Sequence, residues 1–273
     1  MSTALFENYY NVSKTVHHDI DTLRIPLGIS EAGIPEYIDI TEEPRHHLVV
    51  AGHAGTGKSV YMHTLIGSLL LNYTAQQVHI WLSDGGACEF NRFASNTPAH
   101  IKRVHTSRES DASVAFAEAL EEEVNQRLTC LAAAKKNSYY SCCHETGQPP
   151  FPRLVVIIDG FDHFARGLSN EGLCRLNAVI HRAAACGITL VISTQEALYL
   201  AQQMPSGFFN SFGIRIATAQ LSDSHALLFE PISVNPARNL VLGEAFVNMP
   251  TTHKINLLFL SMKTEEQIIK IVS

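Results

Sequence analysis

Short apolar runs of strand length alternate along this chain with longer segments whose apolar residues recur every three to four positions. Residues 23–29 and 37–40 read as two short strands around a turn-rich segment at 30–35. Residues 47–51 form a compact apolar run, and 60–71 follow with helical spacing. Further strand-type runs occupy 77–84, 101–104, Arg153–Asp159, 188–193, Ile214–Ala217, 245–247 and 254–260, the run before Asp159 being the most apolar. Helical periodicity marks 110–134, acidic at its start and followed by Lys135-Lys136, and also 173–185, 222–229 and 265–272. Residues 137–152 read as a polar loop. Residues 1–20 are a polar, weakly periodic lead-in, and 21–273 read as one domain. Near-continuous apolar strands alternating with helices predict an α/β fold, a mostly parallel sheet with helices on both faces.

Between the strand at 47–51 and the helix at 60–71 stands Gly52-His53-Ala54-Gly55-Thr56-Gly57-Lys58-Ser59, a complete G-x-x-x-x-G-K-[ST] phosphate loop, or Walker A motif. Its strand–loop–helix context gives the pattern physical meaning. Gly52, Gly55 and Gly57 let the backbone curl so that its amides point at phosphate oxygens. The helix beginning near Lys58 adds the positive end of its dipole. Lys58 is expected to reach the β- and γ-phosphates of ATP, and the Ser59 hydroxyl to ligate Mg²⁺. His53, Ala54, Thr56 and Val60 complete the backbone set around the nucleotide. The apolar run ending in Asp159 has the form of a Walker B strand, which makes Asp159 the second residue on Mg²⁺. Asp162, two residues on, is a candidate catalytic carboxylate, with capping of the following segment as the plainer role. Ser193-Thr194-Gln195 closes another apolar run, and Gln195 there is either a γ-phosphate sensor or an ordinary polar strand end.

Composition narrows the picture. With 46% hydrophobic and 17% charged residues, the chain is globular with a sizeable core. Its net charge of −6 argues against a large non-specific footprint on DNA, although it leaves room for a local basic patch in an assembled pore. No apolar run approaches the ~20 residues a membrane helix needs. The first residues lack the basic-then-apolar pattern of a secretory leader. The six cysteines fit no zinc spacing: Cys142-Cys143-His144 has no second ligand pair at a suitable distance. Free thiols in a reducing compartment are the reading, and the chain is expected to be cytoplasmic. The pairs His17-His18 and His46-His47 read as solvent-facing or strand-end residues.

Taken together, the blocks resemble the FtsK/SpoIIIE branch of ring-forming ATPases from about Leu23 onward. "LRIPLG" and "HHLVVAGHAGTGKSVYMHTLI" are similar to that family's first strands and phosphate loop. "QVHIWLSDGGACEFNRF" and "TPAHIKRV" resemble its strand, Asp-x-Lys, Glu-Phe and Pro-His segment. "LVVIIDGFDHF" matches its Walker B block, "AAACGITLVISTQ" its helix–strand–Gln block, and "GIRIATAQLSDSHALL" the strand and helix beyond. The resemblance implies a hexameric ring or a stack of neighbouring ATPase domains, driving double-stranded DNA or a secreted protein as in type VII secretion.

Four departures qualify it. Gly160 stands where the family carries the glutamate that activates water, and glycine has no side chain to act as a base. Gly85-Gly86 replaces the lysine expected after Asp84. His225 occupies the place of an arginine that would act on a neighbour's phosphate, and it lacks the fixed charge and fork of a guanidinium. Glu196 follows Gln195 where translocases tend to carry arginine. The expectation is therefore an ATP-binding motor domain with weakened hydrolysis. The alternative is a non-catalytic, nucleotide-bound docking module of the type VII secretion kind, whose later repeats resemble Asp159-Gly160-Phe161-Asp162.

Overall fold

A computed structural model describes residues 21–41, 46–85, 89–95, 97–106, 110–220, 228–229, 236–249 and 251–272. The lead-in and most of the 222–229 segment, His225 included, lie outside these residues. The strands are β1 (Leu23–Ser30), β2 (Pro35–Ile40), β3 (Leu48–Ala51), β4 (Val78–Asp84), β5 (Ile101–His105), β6 (Arg153–Asp159), β7 (Ile188–Thr194), β8 (Ile214–Ala217), β9 (Glu244–Val247) and β10 (His253–Leu257). The helices are α1 (Lys58–Asn72), α2 (Asn91–Ser95), α3 (Ser110–Ala133), α4 (Tyr139–Thr146), α5 (Phe161–Arg166), α6 (Asn170–Ala183), α7 (Ala197–Gln203) and α8 (Met262–Val272).

All ten strands share one sheet in the order β2-β1-β10-β9-β8-β3-β7-β6-β4-β5. From β8 to β5 every pairing is parallel, as the continuous apolar runs predict. Beyond β8 the sheet turns antiparallel through β9, β10, β1 and β2, an extension that the apolar pattern alone does not foretell.

Alternation along each central strand sends side chains to two separate cores. Leu48 and Val50 of β3 join α1 and α8 on one face, whereas Val49 and Ala51 join α3, α5, α6 and α7 on the other. Val155 and Ile157 of β6 divide from Val156 and Ile158 in the same way. At ~25 cal/mol per Å² of apolar surface removed from water, residues of the doubly covered strands are each strongly stabilising. Among the described residues no helix is long and apolar enough to cross a membrane.

Two expectations are corrected. The polar stretch 137–152 contains α4, because Ser138 and Ser141 form a capping box and Gly147 closes the helix in a left-handed conformation. The small polar residues that suggested a loop are the helix's caps. Of the two readings for His46 and His47, the strand-end one holds and the solvent-facing one is corrected. Both are buried beside the start of β3. His46 Nε2 lies 2.7 Å from the Ile188 carbonyl, and its Nδ1 is 2.9 Å from the Tyr140 hydroxyl. His47 Nδ1 accepts the Leu190 N–H at 3.1 Å, while Nε2 donates to the Ile180 carbonyl at 3.0 Å. These rings satisfy backbone groups that the sheet would otherwise leave unpaired.

Such burial keeps both imidazoles neutral. It pushes His46 down from 6.5 to about 4, and His47 well below its ordinary value. The unfolded chain accepts these protons first, so stability is lost as pH falls from about 6.5 toward 4. Each histidine then contributes a slope of up to about 1.4 kcal/mol per pH unit. Urea unfolding of the protein is expected to give a lower free energy at pH 5 than at pH 7.5. The His46→Gln, His47→Gln double variant is expected to be weaker at pH 7.5 but to fall less steeply. Identical slopes would remove the two histidines as the cause.

Candidate nucleotide site

The parallel half of the sheet brings the C-terminal ends of β3, β7, β6 and β4 to one edge, and the sequence-predicted residues collect there. The loop from Gly52 to Gly57 leaves β3 and turns directly into α1, whose first-turn amides have no partner within the helix. Gly52 and His53 anchor the loop by donating to the Thr194 carbonyl of β7 at 3.1 Å and the Ala219 carbonyl after β8 at 3.0 Å. Thr56 Oγ1 and Thr218 Oγ1 share a hydrogen bond at 2.7 Å. A Cβ at Gly52 would lie 1.8 Å from that Thr218 oxygen, so the cradle closes only around glycine.

Lys58 is buried. Its Nζ donates to the Gly52 carbonyl at 2.7 Å and the His53 carbonyl at 3.0 Å. An ammonium carries three donors, so one remains for a phosphate oxygen. Burial lowers the lysine's pKa, and the negative charges of Asp159 and Asp162 act against that shift. The cation thus lies within the field of both carboxylates.

Asp159 ends β6, directly opposite Asp84 at the end of β4. Its Oδ1 accepts the Ser193 hydroxyl, and the same oxygen of Ser193 accepts the Gly160 N–H at 2.8 Å. Ser193 therefore fixes both the carboxylate and the backbone that follows it. Among the described residues Oδ2 of Asp159 accepts no hydrogen bond, which leaves it for a metal-bound water. With the half-buried Ser59 hydroxyl on the first turn of α1, this donor set fits a hard, oxygen-loving cation such as Mg²⁺.

Asp162 has a different bonding pattern. Its Oδ1 accepts the Thr194 hydroxyl at 2.7 Å, and its Oδ2 accepts the Gln195 N–H at 2.8 Å. It does not cap α5, whose start has no side-chain cap. Instead it clamps the end of β7 and so fixes the backbone that presents Gln195, whose residue is exposed. Sequence reasoning found Asp162 and Gln195 but not the link between them. It also missed Thr218, whose only signal is a polar residue directly after an apolar strand.

Gly85 and Gly160, two separate departures from the family pattern, meet in space. The Gly85 N–H donates to the Asp159 carbonyl at 2.8 Å, extending the β4–β6 pairing by one step. A Cβ on Gly85 would lie 2.3 Å from the Gly160 carbonyl oxygen. Gly160 has φ 70°, a left-handed conformation that side-chain-bearing residues rarely adopt. Gly86 lies outside the described residues.

A parallel sheet carrying a phosphate loop, a carboxylate two strands away and a polar strand end between them defines the class of P-loop nucleotide-binding domains. Residues 10–203 match the FtsK/SpoIIIE family, and the chain belongs to it. The DNA translocase FtsK of Helicobacter pylori is 25% identical over 260 residues, covering 92% of this chain and 29% of that protein. The chain spans less than a third of the length of the curated relatives it matches. Two solved structures share the fold. The cytoplasmic domain of the type VII secretion ATPase EccC from Thermomonospora curvata superposes with a TM-score of 0.76 at 15% identity, over 97% of this chain and 32% of that one. The pCW3 conjugation coupling protein TcpA, solved with ATPγS, gives 0.71 at 19% identity, over 95% and 73%.

The geometry separates the two glycines experimentally. Ala at 160 meets nothing closer than 3.8 Å and carries only the left-handed backbone cost, about 1 kcal/mol. Ala at 85 collides with backbone and must pull β4 away from β6. Gly85→Ala is expected to lower the unfolding free energy by more than Gly160→Ala, measured by denaturant titration. The reverse order would contradict the close approach of the two strand exits.

Proposed function

We propose that this chain is the ATP- and Mg²⁺-binding domain of an FtsK/SpoIIIE-type motor whose hydrolysis is weak on its own. Gly52 through Val60 hold the triphosphate. Lys58 neutralises its β- and γ-oxygens, Ser59 and Asp159 hold the metal, and Gln195 faces the terminal phosphate. The observation that carries the weakness is Gly160. It has no side chain to take a proton from water, and its left-handed backbone disfavours any residue that could supply one. Asp162 offers no ready substitute, since both of its oxygens already accept hydrogen bonds. Hydrolysis in an assembled ring, or beside a neighbouring ATPase domain, then depends on groups supplied by the neighbour, as arginine fingers act in trans.

A second reading is a nucleotide-bound docking module for a secreted protein or an adjoining ATPase domain. Two observations favour it over a DNA motor. The Asp159-Gly160-Phe161-Asp162 segment has the form of degenerate type VII repeats. In addition, α3 turns Glu118 and Glu122 to solvent, the wrong sign for a phosphate backbone.

Calorimetry with Mg²⁺-ATP, paired with turnover assays with and without duplex DNA, tests both. Micromolar ATP binding with turnover near background is expected, and Lys58→Ala should abolish binding while leaving the thermal transition cooperative. ATP affinity that survives Lys58→Ala would dismiss this site. DNA-stimulated hydrolysis lost in that variant would establish an active motor instead.

A further inference from the structure

The sheet order gives the phosphate loop two unlike flanks. On one side of β3 lie β7 and β6 with Gln195 and Asp159; on the other lie β8, β9 and β10. A triphosphate whose terminal group faces Asp159 must send its nucleoside toward the β8–β10 side. On that flank Glu244 is already paired with Lys254 and accepts the Val241 N–H at 3.0 Å. Beside that satisfied pair the flank presents a group of exposed apolar side chains.

Phe259, just after β10, points its ring tip at the loop: a Cβ on Gly57 would lie 2.5 Å from the Phe259 Cζ. The same ring borders Gly243, where a Cβ would lie 3.4 Å from its Cε2. Leu257 donates its N–H to the Gly243 carbonyl at 2.7 Å, so the turn before β9 is tied to the segment that carries the ring. That turn exposes Val241 and Leu242 at 64% and 70%. Val60, on the first turn of α1 and 42% exposed, lies one turn before Thr64. The Thr64 hydroxyl accepts the Leu260 N–H at 2.9 Å, which sets Val60 on the helix face that the Phe259 segment runs along. Large aliphatic side chains this exposed, grouped around a half-buried aromatic ring at a ligand loop, are a costly arrangement unless something covers them.

The geometry points to the purine base of the bound nucleotide as the cover, seated against Phe259 and flanked by Val60, Val241 and Leu242. This rests on the nucleotide reading above and adds to it how the base is held. A base has an apolar face and stacks on an aromatic side chain without needing hydrogen-bond readout. The α-phosphate, bound at the amides of the first turn of α1, leaves the base at this flank.

The test compares Mg²⁺-ATP with Mg²⁺-tripolyphosphate, which has the phosphates but no base. Loss of the stacking surface predicts that Phe259→Ala weakens ATP about tenfold. Tripolyphosphate binding should stay within about twofold of wild type, and Phe259→Trp should retain ATP affinity. Tryptophan fluorescence of Phe259→Trp should change with ATP and not with tripolyphosphate, relative to the wild-type signal from Trp81. Equal loss of both ligands in Phe259→Ala would make the ring a prop for Gly57 and overturn the inference, as would unchanged ATP affinity. Binding of neither ligand by the wild type, by contrast, would strike the nucleotide reading itself, and the base site with it.

Discussion

A lysine ammonium buried at the edge of a sheet is the constraint around which this domain is arranged. Removing a charge from water is expensive unless it is paired and hydrogen-bonded. Lys58 meets that cost with two carbonyls from its own loop and the field of two carboxylates from β6 and its exit. Those carbonyls face the ammonium only if the backbone curls through a glycine-rich loop. The carboxylates arrive only if β6 and β7 run parallel to β3 and end level with it. Strand order, loop composition and the apolar character of both sheet faces are thus conditions for one cation. Ser193 and Asp162 then hold the carboxylate ends still, each through hydrogen bonds that reach between β6 and β7.

The same edge shows how a departure from the family pattern is absorbed. Read along the sequence, Gly85 and Gly160 look like two independent losses, of a lysine and of a base. In the fold Gly85, the position directly after Asp84, is coupled to Gly160, because the space a side chain at 85 would need is filled by the 160 carbonyl. At 85 the close approach of the two strand exits leaves no room for a side chain, whereas at 160 the constraint is the left-handed backbone. Restoring a glutamate at 160 alone would have to work against a left-handed backbone as well as a missing neighbour. On the proposed reading, weak hydrolysis is therefore built into the main chain and not only into a missing carboxylate.

Much of this was legible without coordinates, for identifiable reasons. The parallel half of the sheet was readable because strands buried on two faces must be continuously apolar, as Arg153–Asp159 and the run before Gly52 are. The phosphate loop was readable because its glycines and lysine have fixed spacing. The strands of the antiparallel half were legible as runs, but their pairing was not, because it depends on contacts between distant parts of the chain. Helix α4 was missed because its small polar residues serve equally as loop or cap. His46 and His47 were legible as strand-end residues but their burial was not, because it depends on carbonyls contributed more than a hundred residues away, at Ile180 and Ile188. Asp162 was visible as a carboxylate, but its partners Thr194 and Gln195 belong to another strand.

The helix that begins at the phosphate loop is also held from its far side. His63, one turn beyond Ser59 on α1, places Nδ1 2.6 Å from Oε1 of Glu265 on α8. Arg92 on α2 reaches the other oxygen of that buried carboxylate at 2.5 Å. The segment leading into α2 is itself tied to the site, since the Glu89 N–H donates to Asp84 at the end of β4. One buried carboxylate from the C-terminal helix therefore joins the phosphate-loop helix to the segment that follows Asp84. Removing Glu265 would take the shared acceptor from both His63 and Arg92, and breaking a buried pair in this way costs more than the bond itself contributes. The C-terminal helix is consequently part of what keeps Lys58 and Ser59 aimed.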